Sequence, residues 1–257
     1  TTLATSIPSI PTTPTPTPNN LDQILRVGYM YVNTGKLKEA VEVFNQILKQ
    51  EKSNLGALLG RGSAWALSAS SVTNTKSDGS TDELQNIAIE LYNKAVEDFT
   101  TAIHYHGSNY DTWKRRGQVH AALGGNMHNG LAILDLDRAI ELSKKLDSDS
   151  LQQRGQIHHR LKNYTLAVQD IQDALTLHTH QFEDEDQKNK NENKTINESK
   201  KNNSKMLQLK KSRGMLWNAC GLSLNAMGEN EAAISCYKKA LECTNYTMVE
   251  AYTNLGQ

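Results

Sequence analysis

The chain has 257 residues, with 28 lysines and arginines against 28 aspartates and glutamates, and 37% of it is hydrophobic. A formal net charge of zero gives no overall electrostatic case for nucleic acid or an anionic membrane surface. No apolar run of 18 residues and no signal-peptide pattern occur, so an intracellular protein, cytoplasmic or nuclear and without membrane insertion, is expected. Cys220, Cys236 and Cys243 form no CxxC motif and leave an odd count, which fits buried reduced thiols.

In chain order, residues 1–19 hold all five prolines in a Thr/Ser-rich tract and are expected to be a disordered linker. Asn20 is placed to cap a helix over 21–33, followed by helices over 37–50 and 55–69. Residues 70–81 are polar and read as a loop within an insertion at 70–90. Ser80-Thr-Asp-Glu83 fits a capping box that opens a long helix to about residue 103. Ser108 to Asp111 caps the next helix, and Gly124 to Gly130 reads as a widened turn. Residues 182–205 are Asn-, Lys- and Glu-rich with almost no apolar side chain and are expected to be disordered. Met206, Leu207, Leu209, Met215 and Leu216 suggest that the helix after this insertion starts early, near Ser204. The opening of a further unit occupies 248–257 and lacks the polar cap a solenoid end needs. A longer solenoid, or stacking on another chain, is therefore expected.

Gly28, Gly62, Gly117, Gly155, Gly221 and Gly256 recur at spacings of 34, 55, 38, 66 and 35 residues, one unit of about 34 with insertions. Each glycine sits in a helical pattern, and the following helix carries Ala-x3-large: Ala40 with Phe44, Ala95 with Phe99, Ala132 with Leu136, Ala167 with Ile171 and Ala233 with Tyr237. Helices approach closely only where one side chain is small and a large neighbour fills the gap. These residues resemble the tetratricopeptide (TPR) pattern. The resemblance implies an all-α, right-handed superhelical solenoid over 20–257, with repeats at 21–54, 55–109, 110–146, 148–181 and 214–247 and a partial one at 248–257. Gly60-Arg-Gly-Ser-Ala-Trp-Ala, Ala95 to Ile103 and Trp113 to Gly124 also resemble the plant TPR suppressors of effector-triggered immunity, whose repeat region is similar to that of the yeast general co-repressor. That likeness covers about 55–175 well and implies a co-repressor-like adaptor in immune signalling or transcription.

No Gly-rich phosphate loop, nucleophile elbow or paired acid motif occurs, so no enzyme and no cofactor is expected. His120 and His158 share a column with Tyr31 and Trp65, which packing explains without a metal. In the TPR solenoids that the chain resembles, the first helices line a concave groove, and by register its candidates here are Tyr29, Asn33, Ser63, Lys114, Arg115, Gln118, Gln152, Gln156, His159, Arg160, Asn218 and Asn225. Amides there would pair with the backbone of an extended peptide or helical segment of a protein partner, and the cations with its acidic residues. The Lys/Asn carboxylate clamp of chaperone-binding TPRs is not matched, since Leu25 and Tyr29 stand in its place. Arg61, Arg116 and Arg154 each precede a glycine, and their guanidinium groups are expected to reach acidic groups of the next repeat. Two alternatives are a self-stacking dimer or filament and a regulatory TPR segment of a larger enzyme.

Overall fold

The computed structural model describes residues 18–74, 81–144, 146–191 and 196–256. Regular structure among these residues is helical throughout, in two compact units, 1–105 and 106–257. The first unit holds α1 (Pro18–Asn33), α2 (Leu37–Gln50), α3 (Leu55–Asn74) and α4 (Thr81–His106), the last as far as Tyr105. The second holds α5 (Tyr110–Leu123), α6 (Gly125–Leu142), α7 (Ser148–Arg160), α8 (Tyr164–Asn191), α9 (Ile196–Ala226), α10 (Asn230–Cys243) and α11 (Val249–Leu255). Consecutive helices pack as pairs in the second unit, and its first helices also neighbour one another in the order α5, α7, α9, α11. They therefore share one face of that unit.

Several boundaries differ from the sequence reading. Residues 18 and 19, expected in the linker, form the start of α1, where proline fits the first helical turn; residues 1–17 lie outside the described residues. Helix α3 runs to Asn74 rather than 69, and the hydroxyls of Ser68, Ser71 and Thr73 along this polar stretch donate to carbonyls of their own helix. Ser80 of the capping box lies outside the described residues. The turn expected over 124–130 is almost entirely helix: Gly124 (φ 71°, ψ −168°) and Gly125 (φ 72°) reverse the chain at once, in backbone that side chains disfavour. The insertion expected to be disordered over 182–205 continues α8 to Asn191 and opens α9 from Ile196. Its Glu, Gln and Lys are good helix formers, and no Gly or Pro interrupts 156–213.

The core of each pair is set by glycine. Gly28, Gly62, Gly117, Gly155 and Gly221 are buried, and Ala40, Ala95, Ala132, Ala167 and Ala233 are at most 1% exposed. A Cβ on Gly28 would lie 2.5 Å from Phe44, on Gly62 2.7 Å from Phe99, on Gly117 3.2 Å from Leu136 and on Gly155 3.1 Å from Ile171. Gly221 faces Tyr237 in the same way, and Phe44 is also covered by Gly60 of the next repeat. The buried cluster around Phe44 takes in Val41, Ile47, Leu48, Ala57 and Leu58.

An ion pair flanks three of these contacts. Arg61, Arg116 and Arg154 each grip one carboxylate with two nitrogens, Nε to Oδ2 at 2.9 Å in all three and Nη2 to Oδ1 at 2.5–2.7 Å. The acceptors are Asp98, Asp135 and Asp170, each immediately before the large residue. The guanidinium groups thus reach the second helix of their own repeat, not the next repeat as expected. The short Arg-Gly approach brings that helix within reach first. Arg61 and Arg154 use their remaining nitrogen on the preceding repeat, at Asn45 (2.6 Å) and Asp137 (2.5 Å). His120 and His158 lie beside the same carboxylates, Nε2 at 3.9 Å from Asp135 and 4.0 Å from Asp170. Burial pushes both imidazoles down, and His178 likewise, against the pull of nearby aspartates. Burial also pushes the Asp98 carboxyl up, with Arg61 opposing it.

The packing can be tested at three points. Arg154→Met strips the bidentate partner from Asp170, whose side chain is 5% exposed, and is expected to cost about 3–5 kcal/mol. Adding Asp170→Leu should recover most of that loss in urea unfolding; a single variant as stable as the parent would show the pair to be dispensable. Tyr237 carries a buried hydroxyl with no hydrogen-bond partner among the described residues, where the column elsewhere has Phe44 and Phe99. Tyr237→Phe is therefore expected to raise stability by about 1 kcal/mol, and a loss of that size would reveal a partner for the hydroxyl. Because the folded state lowers the pKa of His120, His158 and His178, the unfolded chain binds more protons just below the ordinary histidine value of 6.5. Stability contributed by neutral burial is full above 6.5 and falls as pH drops through that value towards the lower folded values. Thermal scans across this range should show Tm falling, less steeply in His158→Gln; equal slopes in both proteins would exclude His158 as a contributor.

Candidate functional site

The shared face of the second unit holds a cavity of about 1070 Å³ between α7, α9 and the α10–α11 connection. Helix α7 supplies Gln156, His159 and Arg160, one turn apart on one side. Helix α9 supplies Asn218, Leu222 and Ser223, and its middle turns add Leu207, Lys211 and Met215. Asn245, Thr247 and Glu250 close the far wall, and Cys243 lies at its edge, its thiol pushed up by burial. The wall thus combines exposed apolar side chains, Leu207 (63%), Met215 (42%) and Leu222 (38%), with amides and two cations. That mixture suits a ligand that is itself part apolar and part polar, such as a polypeptide.

Several wall residues are fixed in place. His159 Nδ1 lies 2.9 Å from Ser223 Oγ, and its ring packs on Tyr164 at 5.3 Å. The buried Ser223 hydroxyl donates to the Ala219 carbonyl at 3.1 Å. Arg160 donates to the Ala121 carbonyl in the last turn of α5 at 3.2 Å, where the helix dipole favours a cation. Asn218 Oδ1 accepts from Asn254 of α11 at 2.9 Å, which ties two first helices together across the wall.

The other candidates lie elsewhere. Lys114 is held by Asp147 (3.4 Å), Asp111 (3.8 Å) and Asp149 (3.9 Å), over the Tyr110 ring, with 15% of its side chain exposed. Three carboxylates of the chain thus surround this cation, and Asp147 brings it against the start of α7. Arg115 Nε donates to Asp111 at 2.7 Å within its own helix. Gln118 and Asn225 are exposed and Gln152 half-buried, all outside the cavity wall. In the first unit, Tyr29 donates to the Gly56 carbonyl at 2.8 Å with its ring edge on Phe44, Ser63 donates to the Leu59 carbonyl at 2.7 Å, and Asn33 is exposed. Register alone missed Lys211 and the α10–α11 connection. The apolar residues of the middle α9 turns were visible, but not which of them face the cavity.

Among the described residues no group of three or more His, Cys, Asp or Glu is arranged to hold a metal ion, and no helix is long and apolar enough to cross a membrane.

The family model for the tetratricopeptide repeat matches residues 24–54, 148–178 and 216–243. No curated protein matches the sequence, and the likeness of 55–175 to the plant suppressors has no counterpart in these comparisons. Among solved structures, MamA (41-end) from Desulfovibrio magneticus RS-1 superposes with a TM-score of 0.60 at 13% identity, over 88% of this chain and 96% of that one. YrrB, described as a TPR protein with an unusual peptide-binding site, gives 0.57 at 15% identity over 90% and 89%. TTC0263, a thermophilic TPR protein of Thermus thermophilus, gives 0.54 at 16% identity over 92% and 100%. The glycine-centred helix pairs, the three matched segments and these superpositions together show that the chain has the tetratricopeptide-repeat fold.

Proposed function

We propose that the chain is a non-catalytic scaffold that binds an extended segment of a partner protein along the shared face of its second unit. The observation that carries this reading is the cavity of about 1070 Å³ walled by α7 and α9, with Arg160 and Lys211 set among apolar Leu207, Met215 and Leu222. Gln156, Asn218 and Asn245 offer amide donors and acceptors that match a peptide backbone, and the cations match an acidic side chain or a carboxylate. The peptide-binding site named for YrrB supports the same use of the fold. A place in immune signalling or transcription, as the likeness to the plant suppressors implies, would be one setting for such an adaptor.

Peptides selected from a random library on the purified chain test the reading. Arg160→Glu with Lys211→Glu is expected to weaken their binding at least about tenfold, roughly 1.4 kcal/mol. Lys52→Glu, on the first unit, should leave it unchanged. Peptides indifferent to the double reversal would remove the cavity as the site. A rise in sedimenting mass with concentration, abolished by Val249→Asp at an exposed position of α11, would instead favour self-stacking.

A further inference from the structure

The column that holds the Arg–Asp clamps continues into the fifth repeat with different chemistry. Cys220 precedes Gly221 as Arg61, Arg116 and Arg154 precede their glycines. Cys236 precedes Tyr237 as Asp98, Asp135 and Asp170 precede their large residues. The two positions that join the first helix to the second in three other repeats are therefore held here by two thiols, one on α9 and one on α10. Both are buried, Cys220 at 1% and Cys236 at 6%, and both lie in one cluster with Leu216 and Ile171. The neighbouring Cys220 thiol holds Cys236 below its ordinary thiol range, with Lys239 acting in the same direction, and Cys236 in turn pushes Cys220 well above it. The Tyr237 ring of α10 lies against Gly221 of α9, so the residue before each stands beside the same helix–helix contact.

We propose that Cys220 and Cys236 are a redox pair that closes to an intramolecular disulfide when the protein meets a hydroperoxide. The Cys236 thiolate attacks hydrogen peroxide, the O–O bond breaks, and a sulfenic acid and hydroxide form; the hydroxide takes up the proton that Cys236 had released and leaves as the first water. Cys220 sulfur then attacks the sulfenic sulfur, the S–S bond forms, and the second water leaves with the remaining thiol proton. Two electrons pass from the thiols to the peroxide. Cys243 is excluded as the partner of Cys236 by helix geometry: seven residues along α10 put them about 10 Å apart, beyond disulfide reach. The bond would fasten α9 to α10 next to the Gly221–Tyr237 contact. Asn218, Leu222 and Ser223 of the cavity wall stand on the same turns of α9, so oxidation would stiffen that wall. The pair stands independently of what the cavity binds.

The full chain, treated with hydrogen peroxide and then alkylated without reduction, tests the pair by intact mass and peptide mapping. The expected product has lost two hydrogens, keeps Cys243 alkylatable, and yields a Cys220–Cys236 linked peptide that dithiothreitol releases. Its Tm should rise by several degrees over the reduced protein, and Cys243→Ser should behave identically. Three alkylatable thiols after treatment, a bridge that includes Cys243, a bridge between chains, or sulfinic acid without a bridge would each overturn the proposal. The map of the unmutated protein decides between these outcomes, so poor folding of a Cys220→Ser control would not obscure them.

Discussion

Everything in this molecule hangs on one contact repeated along the chain: a glycine in the first helix of each pair against a large side chain of the second. Glycine inside a helix costs about 0.5–1 kcal/mol relative to alanine. The cost is met because the missing Cβ leaves a slot that Phe44, Phe99, Leu136, Ile171 or Tyr237 fills to the density of a core. The slot sets how near the two helices come, and that nearness decides what neighbouring positions can do. One residue before the glycine and one before the large residue, side chains meet across the pair. Arg and Asp meet there in three repeats, Val27 and Val43 take those positions in the first, and Cys220 and Cys236 in the fifth.

The clamps join repeats as well as helices. Arg61 adds Asn45, and Arg154 adds Asp137, each from the second helix of the preceding repeat. Burying such charges rarely adds much net stability over an apolar pair, but losing one partner is costly. Their contribution is orientation: a forked donor satisfied on two helices fixes how one repeat is set on the last. In the second unit this order carries the first helices α5, α7, α9 and α11 side by side, and the cavity wall is what α7, α9 and α11 present there.

Much of this was legible in the sequence because it depends on local spacing. The period, the glycines, the Ala-x3-large pattern and the limits of α2 (Leu37–Gln50) need only a helical register. Gln156, His159, Arg160 and Asn218 were placed on the wall by the same register. What escaped depends on pairing in space. Lys114 has the register of a groove residue, yet Asp147 arrives from the loop before α7 and pairs with it. The direction of the Arg contacts turned on which helix comes near, which spacing does not state. The polar stretch near 70–74 reads as a loop and that at 182–191 as disorder because they lack an apolar face, yet both continue the helix before them, the second through a run free of Gly and Pro.

The Phe44 ring belongs to two repeats at once, with Gly28 on one side and Gly60 on the other. No clean seam therefore lies between α2 and α3, although the loop between them is where a repeat diagram would cut. Ending a fragment at Gln50 would leave the ring open on one side. Starting one at Leu55 would leave a glycine-lined notch with nothing to fill it. The indivisible piece of the first unit is three helices, α1 to α3, so dissection of the chain into working parts has to respect shared side chains over the 34-residue spacing.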